Sequence, residues 1–177
     1  MKRFISCIMV VLMITSIIPM SVFAQELNQP KLSIDSTQAS PGEVFDVNVT
    51  LENNPGIVSA NIKIDFDEGL TLVGATNGDA FSTLTYIPPK QLSSTGRITS
   101  SCQFAWSGFD IADEDIKDGT ILTLSFEMSE EAEIGDSFNI TISNNAGDVI
   151  DKNLNQFSLS AASVITAVDY TPCDVND

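Results

Sequence analysis

The chain has 177 residues, with 24 acidic and eight basic side chains and no histidine. That balance repels phosphate backbones and excludes a nucleic-acid binder held by charge. The missing imidazole removes the commonest general base, the serine triad and most catalytic zinc sites.

A surplus of carboxylates always offers pairs for glycoside hydrolysis, but nothing marks one pair as special, and the chain reads as non-catalytic. The plain reading of most of these acids is a solvated surface that keeps the protein soluble and steers basic partners.

Met1-Lys2-Arg3 is a short basic start, Phe4 to Ile18 is almost wholly apolar, and Val22-Phe23-Ala24 sets small residues where a signal peptidase reads. Residues 1–24 are therefore expected to be a secretory signal peptide. The alternative, an uncleaved membrane anchor, wants about 20 apolar residues and no cleavage site. Cleavage removes two of the eight bases and leaves 153 residues with a net charge of −18, enough for one domain with a core. No second apolar span follows, so the expected product is secreted, free or held at the cell surface by a partner. Cys7 leaves with the signal. Cys102 and Cys173 are too few for a disulfide framework, and Cys102 falls on the apolar side of a strand pattern, as a buried thiol would.

After Ala24 almost every segment alternates with a period of two. Leu32 and Ile34 begin the pattern, and Phe45, Val47, Val49 and Leu51 continue it. Ile57, Ala60, Ile62, Ile64 and Phe66 follow, with the phase settling near Ser59. Leu70 with Leu72, then Ile98, Cys102 and Phe104, and a clean run of Leu122, Leu124, Phe126 and Met128 come next. Phe138, Ile140 and Ile142, then Phe157, Leu159, Val164 and Ile165 close it. Turn pairs such as Pro41-Gly42, Asn77-Gly78 and Asp118-Gly119 separate the runs, and only Ile111 to Lys117 and Ser129 to Ile134 suit a helical turn. Strands at this spacing predict an antiparallel β-sandwich.

Three stretches in order, "SPGEVFDVNVTLENNPGIVSANIKIDFDEGLTLVGA", "FAWSGFDIADEDIKDGTILTLSFEMSEEAEIGDSFNITI" and "GDVIDKNLNQFSLSAASVITAV", resemble the cohesin domains of cellulosome-type scaffolding and adaptor proteins. The resemblance spans Lys31 to Val168 and sets the domain at residues 30–168, with 169–177 as a tail. It implies a nine-stranded sandwich of jelly-roll topology. The implied function is to bind dockerin modules, on enzymes or scaffold proteins, and so assemble extracellular polysaccharide-degrading complexes. Polysaccharide would be met only indirectly.

In scaffoldin cohesins the dockerin lies on a sheet face made by strands 8, 3, 6 and 5. Ile57 to Phe66 would be strand 3, and with its apolar members inward, Ser59, Asn61, Lys63 and Asp65 share the outer face. Ser59 and Asn61 stand where typical members carry Asn and Asp. Strand 6, Arg97 to Trp106, would turn Thr99, Ser101, Gln103 and Ala105 outward. Trp106 stands where many members carry an acid, and is either a rim residue covering the core or an interface anchor. Strand 5, Thr83 to Ile87, would supply Thr85 and Ile87. The end of strand 8 would supply Val149 or Ile150.

Asp110, Asp113, Glu114, Asp115 and Asp118 invite a calcium reading, but lack the full spacing of an EF-hand loop and read better as a solvated acidic loop. The terminal "CDVND", Cys173 to Asp177, resembles the start of a dockerin calcium loop. No cofactor is expected in the domain itself; calcium would enter only with a dockerin partner or with a dockerin continuing past Asp177. The alternative function is a carbohydrate-binding sandwich. Such modules stack sugars on planar aromatics, and here only Trp106, Tyr86 and Tyr170 offer themselves.

Overall fold

A computed structural model describes residues 29–169. The expected signal peptide with Cys7, and Tyr170, Cys173 and the terminal CDVND, lie outside the described residues. Eleven strands follow one another: β1 Lys31–Ile34, β2 Thr37–Ala39, β3 Val44–Glu52, β4 Ile57–Phe66, β5 Leu70–Asn77, β6 Thr85–Ile87, β7 Cys102–Ser107, β8 Gly119–Met128, β9 Ser137–Ser143, β10 Val149–Asp151 and β11 Ser160–Ala167. One sheet runs β1-β3-β8-β5 and the other β2-β11-β9-β4-β7-β6, with β10 also on β4. No helix among the described residues is long and apolar enough to cross a membrane.

The sandwich is the expected one, with two divisions that the period-two pattern hides. The first apolar run splits at Asp35-Ser36, where the chain passes from one sheet to the other: β1 pairs with β3, while β2 pairs with β11 and does so in parallel. Buried Ser163 holds this crossing, donating from Oγ to the Asp35 carbonyl at 2.6 Å. The second division lies between β9 and β10. Asp148 accepts from the backbone N–H and side-chain amide of Asn145, closing a turn that interrupts what would be one long strand.

Alternation builds the core. Leu122, Leu124, Phe126 and Met128 are all buried, and Phe126 meets Phe45 and Phe66 with ring centroids 6.2 and 5.1 Å apart. On β4 the phase settles where expected: Ile57 and Val58 are both buried, and the pairing with β10 shifts register there. Val164 departs from the expected pattern. It stands on the outer face, and Ile165 alone points into the core.

Of the two expected helical turns, Ile111 to Lys117 contains a 3-10 turn at Asp113–Asp115, and Ser129 to Ile134 is not helical. A 3-10 turn at Asp79–Phe81 and a short helix at Lys90–Thr95 carry no apolar periodicity long enough to announce them. The short helix is closed by Gly96 at φ 70°, a left-handed cap that glycine adopts without strain.

Candidate docking face

Strand β4 is paired on both edges, with β7 on one side and β9 followed by β10 on the other. Residues directly opposite in antiparallel strands share a face, so the registers define rows across the outer surface. The first row reads Ile150, Ser59, Ser107, Thr85, and the second Asn61, Ala105, Ile87. The third reads Ser143, Lys63, Gln103, and the fourth Thr141, Asp65. Nine of the eleven residues singled out from the sequence are thus brought onto one continuous surface, across the strand run β10/β9-β4-β7-β6.

The local reason is the mild polarity of the outward positions. Ser59, Asn61 and Ala105 are small and half-buried among their neighbours, while Gln103, Thr85 and Ile87 stand exposed. A single ion pair crosses this surface, Lys63 Nζ to Asp65 at 2.7 Å, two residues apart on the same side of β4. The two charges satisfy each other, leaving the centre of the face to amide, hydroxyl and methyl groups.

Trp106 must be corrected as a contact residue. The alternation of β7 does not break before it: the indole is buried, lies edge-on to Phe81 with centroids 5.4 Å apart, and donates from Nε1 to Asn77 Oδ1 at 2.7 Å. The outward residue at this end of β7 is Ser107, opposite Ser59. β7 also begins later than expected, at Cys102, and Ile98 makes only an isolated bridge to Leu72 in the other sheet. Ser101 therefore precedes the strand. It is exposed and borders an open hollow with Lys63, Pro89, Gln91, Cys102 and Gln103, at the margin of the face. Between Val149 and Ile150 the structure decides: Val149 is buried and Ile150 is half-buried opposite Ser59.

Ser107, Ser143 and Thr141 belong to this surface and were missed by sequence reasoning. Continuing the alternation two residues past Ala105 would have found Ser107. The other two needed the register of β9 against β4, which no local pattern supplies.

Behind the face, Tyr86 lies stacked on Phe104 with planes 9° apart and its hydroxyl buried. Burial pushes its pKa up to about 12, with Cys102 adding to the shift. The Cys102 thiol is likewise pushed up to about 12, by burial first and by Asp65 second. Both groups are neutral, and neither is a nucleophile at ordinary pH.

Three of the five acidic residues considered for calcium are held by different partners. Asp118 accepts from the backbone N–H groups of Asn53 and Asn54 at 3.0 and 2.8 Å, and Asp110 from that of Ile111 at 2.9 Å. Asp113 pairs with Lys152, which holds its carboxyl below the usual range through a hydrogen bond and the opposite charge. Among the described residues no three acidic, histidine or cysteine side chains gather as a metal site.

Comparison with known proteins starts from this sandwich. A non-cellulosomal cohesin from the archaeon Archaeoglobus fulgidus superposes with a TM-score of 0.64 at 13% identity, over 80% of this chain and 92% of that one. The cohesin of the Coh-OlpA-Doc918 complex from Clostridium thermocellum gives 0.62 at 20%, over 80% and 100%. A type III cohesin of the ScaE cell-surface anchoring scaffoldin from Ruminococcus flavefaciens gives 0.64 at 15%, over 82% and 91%. At these identities the likeness is one of fold. A search of curated protein sequences finds no match. The family model described as Cohesin domain matches residues 30–165. With that match over most of its length, the chain belongs to the cohesin family, whose modules are non-catalytic and act by protein interaction.

Proposed function

We propose that this protein captures dockerin-bearing enzymes or scaffold proteins through the outer face of β10/β9-β4-β7-β6. The observation that carries the reading is the set of rows centred on Ser59, Asn61 and Ala105, where four strands present small polar and apolar side chains in register. Such a surface lets a helical partner approach closely, while Ile87 and Ile150 supply apolar contacts at its two margins. An interface of ordinary size buries about 1,200–2,000 Å² in total, which a few strands can provide. Several solved relatives, including cohesins from Acetivibrio cellulolyticus and Clostridium thermocellum, are described as complexes with dockerins.

The proposed setting is outside the cell, reached by cleavage after Ala24, within a cellulosome-like assembly that degrades polysaccharide. The terminal CDVND supports a further step, in which the coding sequence past Asp177 continues into a dockerin and makes the protein an adaptor. Calcium then belongs to the dockerins on either side, and none is assigned to the cohesin domain. Direct sugar binding is the weaker reading, because Trp106 is buried and half-buried Tyr86 is stacked on Phe104 against the core.

Titration calorimetry with calcium-loaded dockerin modules, comparing the wild type with Asn61→Arg, tests the reading. A dockerin bound by the wild type and lost by Asn61→Arg supports it. Equal affinity after replacement of Asn61, Gln103 and Ala105 moves the site elsewhere.

A further inference from the structure

The sequence contains one Asn-Gly step, Asn77-Gly78, and it falls where β5 ends. An asparagine followed by glycine is the pair most prone to deamidation, because no Cβ hinders the glycine nitrogen. In that reaction the Gly78 nitrogen gives up its proton and attacks Asn77 Cγ. The N–Cγ bond forms, the Cγ–Nδ2 bond breaks and ammonia leaves. One water molecule then opens the five-membered succinimide to aspartate or isoaspartate, so no oxidant or metal is needed. Both residues are only half-buried, and exclusion of water does not protect them.

The fold protects them in three other ways. Ring closure requires the Gly78 nitrogen and Asn77 Cβ to eclipse each other about the Cα–C bond, and the extended backbone of a strand, which Asn77 still has, holds them apart. The side-chain amide is fixed at both ends, Oδ1 accepting from Trp106 Nε1 at 2.7 Å and Nδ2 donating to the Phe81 carbonyl at 3.3 Å. The nucleophile is itself engaged, since the Gly78 N–H donates to the Ile121 carbonyl at 3.0 Å. These partners come from β7, from the 3-10 turn at Asp79–Phe81 and from β8, so the lock exists only in the folded chain.

Neither product fits the same place. Aspartate sets an oxygen where Nδ2 donated, facing the Phe81 carbonyl acceptor to acceptor. Isoaspartate lengthens the main chain by one methylene where room is least: a carbon added at Gly78 would lie 2.0 Å from the Thr120 carbonyl oxygen. That oxygen belongs to the backbone of β8, whose next residues, Ile121 and Leu122, are buried in the core and cannot step aside.

We infer that Asn77-Gly78 is a modification site gated by folding: the native chain holds it inert, and an unfolded chain is hydrolysed there to a form that cannot return to the fold. Unfolding thereby becomes irreversible with time, through a reaction built into one dipeptide. Conversion of the native chain must pass through its small unfolded fraction, which makes it slower by about a thousandfold or more. The inference is independent of what the outer face binds.

The test incubates the processed chain at mildly alkaline pH, native and in guanidinium chloride. Samples from denaturant are returned to native buffer, the refolded and unrefolded chains are separated by size-exclusion chromatography, and both are peptide-mapped by mass spectrometry for amide-to-acid conversion. The expected result is conversion at Asn77 in denaturant, about a thousandfold or more slower in the native chain, with converted chains confined to the unrefolded fraction. Asn77→Ala, which has no amide to lose, keeps its refolding yield through the same incubation. Native and unfolded chains that convert at like rates overturn the lock, and an unfolded chain that converts elsewhere while Asn77 stays intact overturns the site. Refolded chains carrying aspartate or isoaspartate at position 77 overturn the irreversibility, as does a refolding yield that falls equally in the wild type and Asn77→Ala. The mapped fractions come from the wild type, so the outcome is decided even where Asn77→Ala folds poorly.

Discussion

The indole of Trp106 on β7 donates to the side-chain oxygen of Asn77 on β5, a 2.7 Å hydrogen bond that joins the two sheets through the core. Asn77 is held in turn by its amide nitrogen on the Phe81 carbonyl at 3.3 Å, and Phe81 packs edge-on to the same indole. Asn77→Ala leaves a buried N–H without a partner and is expected to cost about 1–3 kcal/mol of stability in urea denaturation. Dockerin affinity of the folded variant stays at the wild-type value, because Trp106 is interior.

Asn61 lies between Ala105 and the end of β10, at the centre of the outer face. Asn61→Arg sets a long charged side chain on a surface of small groups. Binding should weaken about thirtyfold or more, the 2 kcal/mol scale of an interface hot spot. The thermal midpoint, read by differential scanning calorimetry, should shift by no more than an ordinary surface replacement does, about 0.5 kcal/mol in stability.

Cys102 and Tyr86 make stability fall in alkali. Both pKa values are raised in the fold to about 12, from ordinary values of 9.0 and 10.0. The folded state thus holds its protons more tightly than the unfolded chain, and the contribution is complete below the ordinary values and lost as pH climbs from about 9 through about 12. Urea midpoints measured across that window should decline, and Cys102→Ala should make the decline shallower. At pH 8 the native thiol should resist alkylation and react once the chain is unfolded.

Gly78 allows the chain to leave β5 close against β8. Its N–H donates to the Ile121 carbonyl at 3.0 Å, and a Cβ would lie 2.0 Å from the Thr120 carbonyl oxygen and 2.8 Å from the Ile121 carbonyl carbon. Backbone cannot step aside as a flexible side chain can. Gly78→Ala is expected to destabilise by about 3 kcal/mol, the upper range for overpacking. The same change at Gly96, which has open space around it, acts only through its left-handed φ of 70°.

Most of the core was legible because a half-buried strand writes its own orientation: Leu122 to Met128 and Ala60 to Ile64 alternate without exception. Ser59, Asn61, Gln103 and Ala105 were legible for the same reason, as the complement of those apolar residues. What stayed hidden depends on pairing between distant segments. The parallel contact of β2 with β11 and the placement of Ser143 and Thr141 beside β4 are long-range facts. Trp106 was ambiguous because a large amphipathic ring suits a rim and a core equally, and only its partner Asn77, 29 residues earlier in sequence, separates the two. Exposed Phe109 and left-handed Leu154 break the local rules, and a pattern built on burial cannot see them.

The central claim is tested most directly by titrating calcium-loaded dockerin modules into the processed protein beside a parallel binding assay on insoluble cellulose and starch. The account predicts capture of at least one dockerin, lost in Asn61→Arg, and no retention on either polysaccharide. Retention on cellulose or starch with no dockerin captured would contradict it.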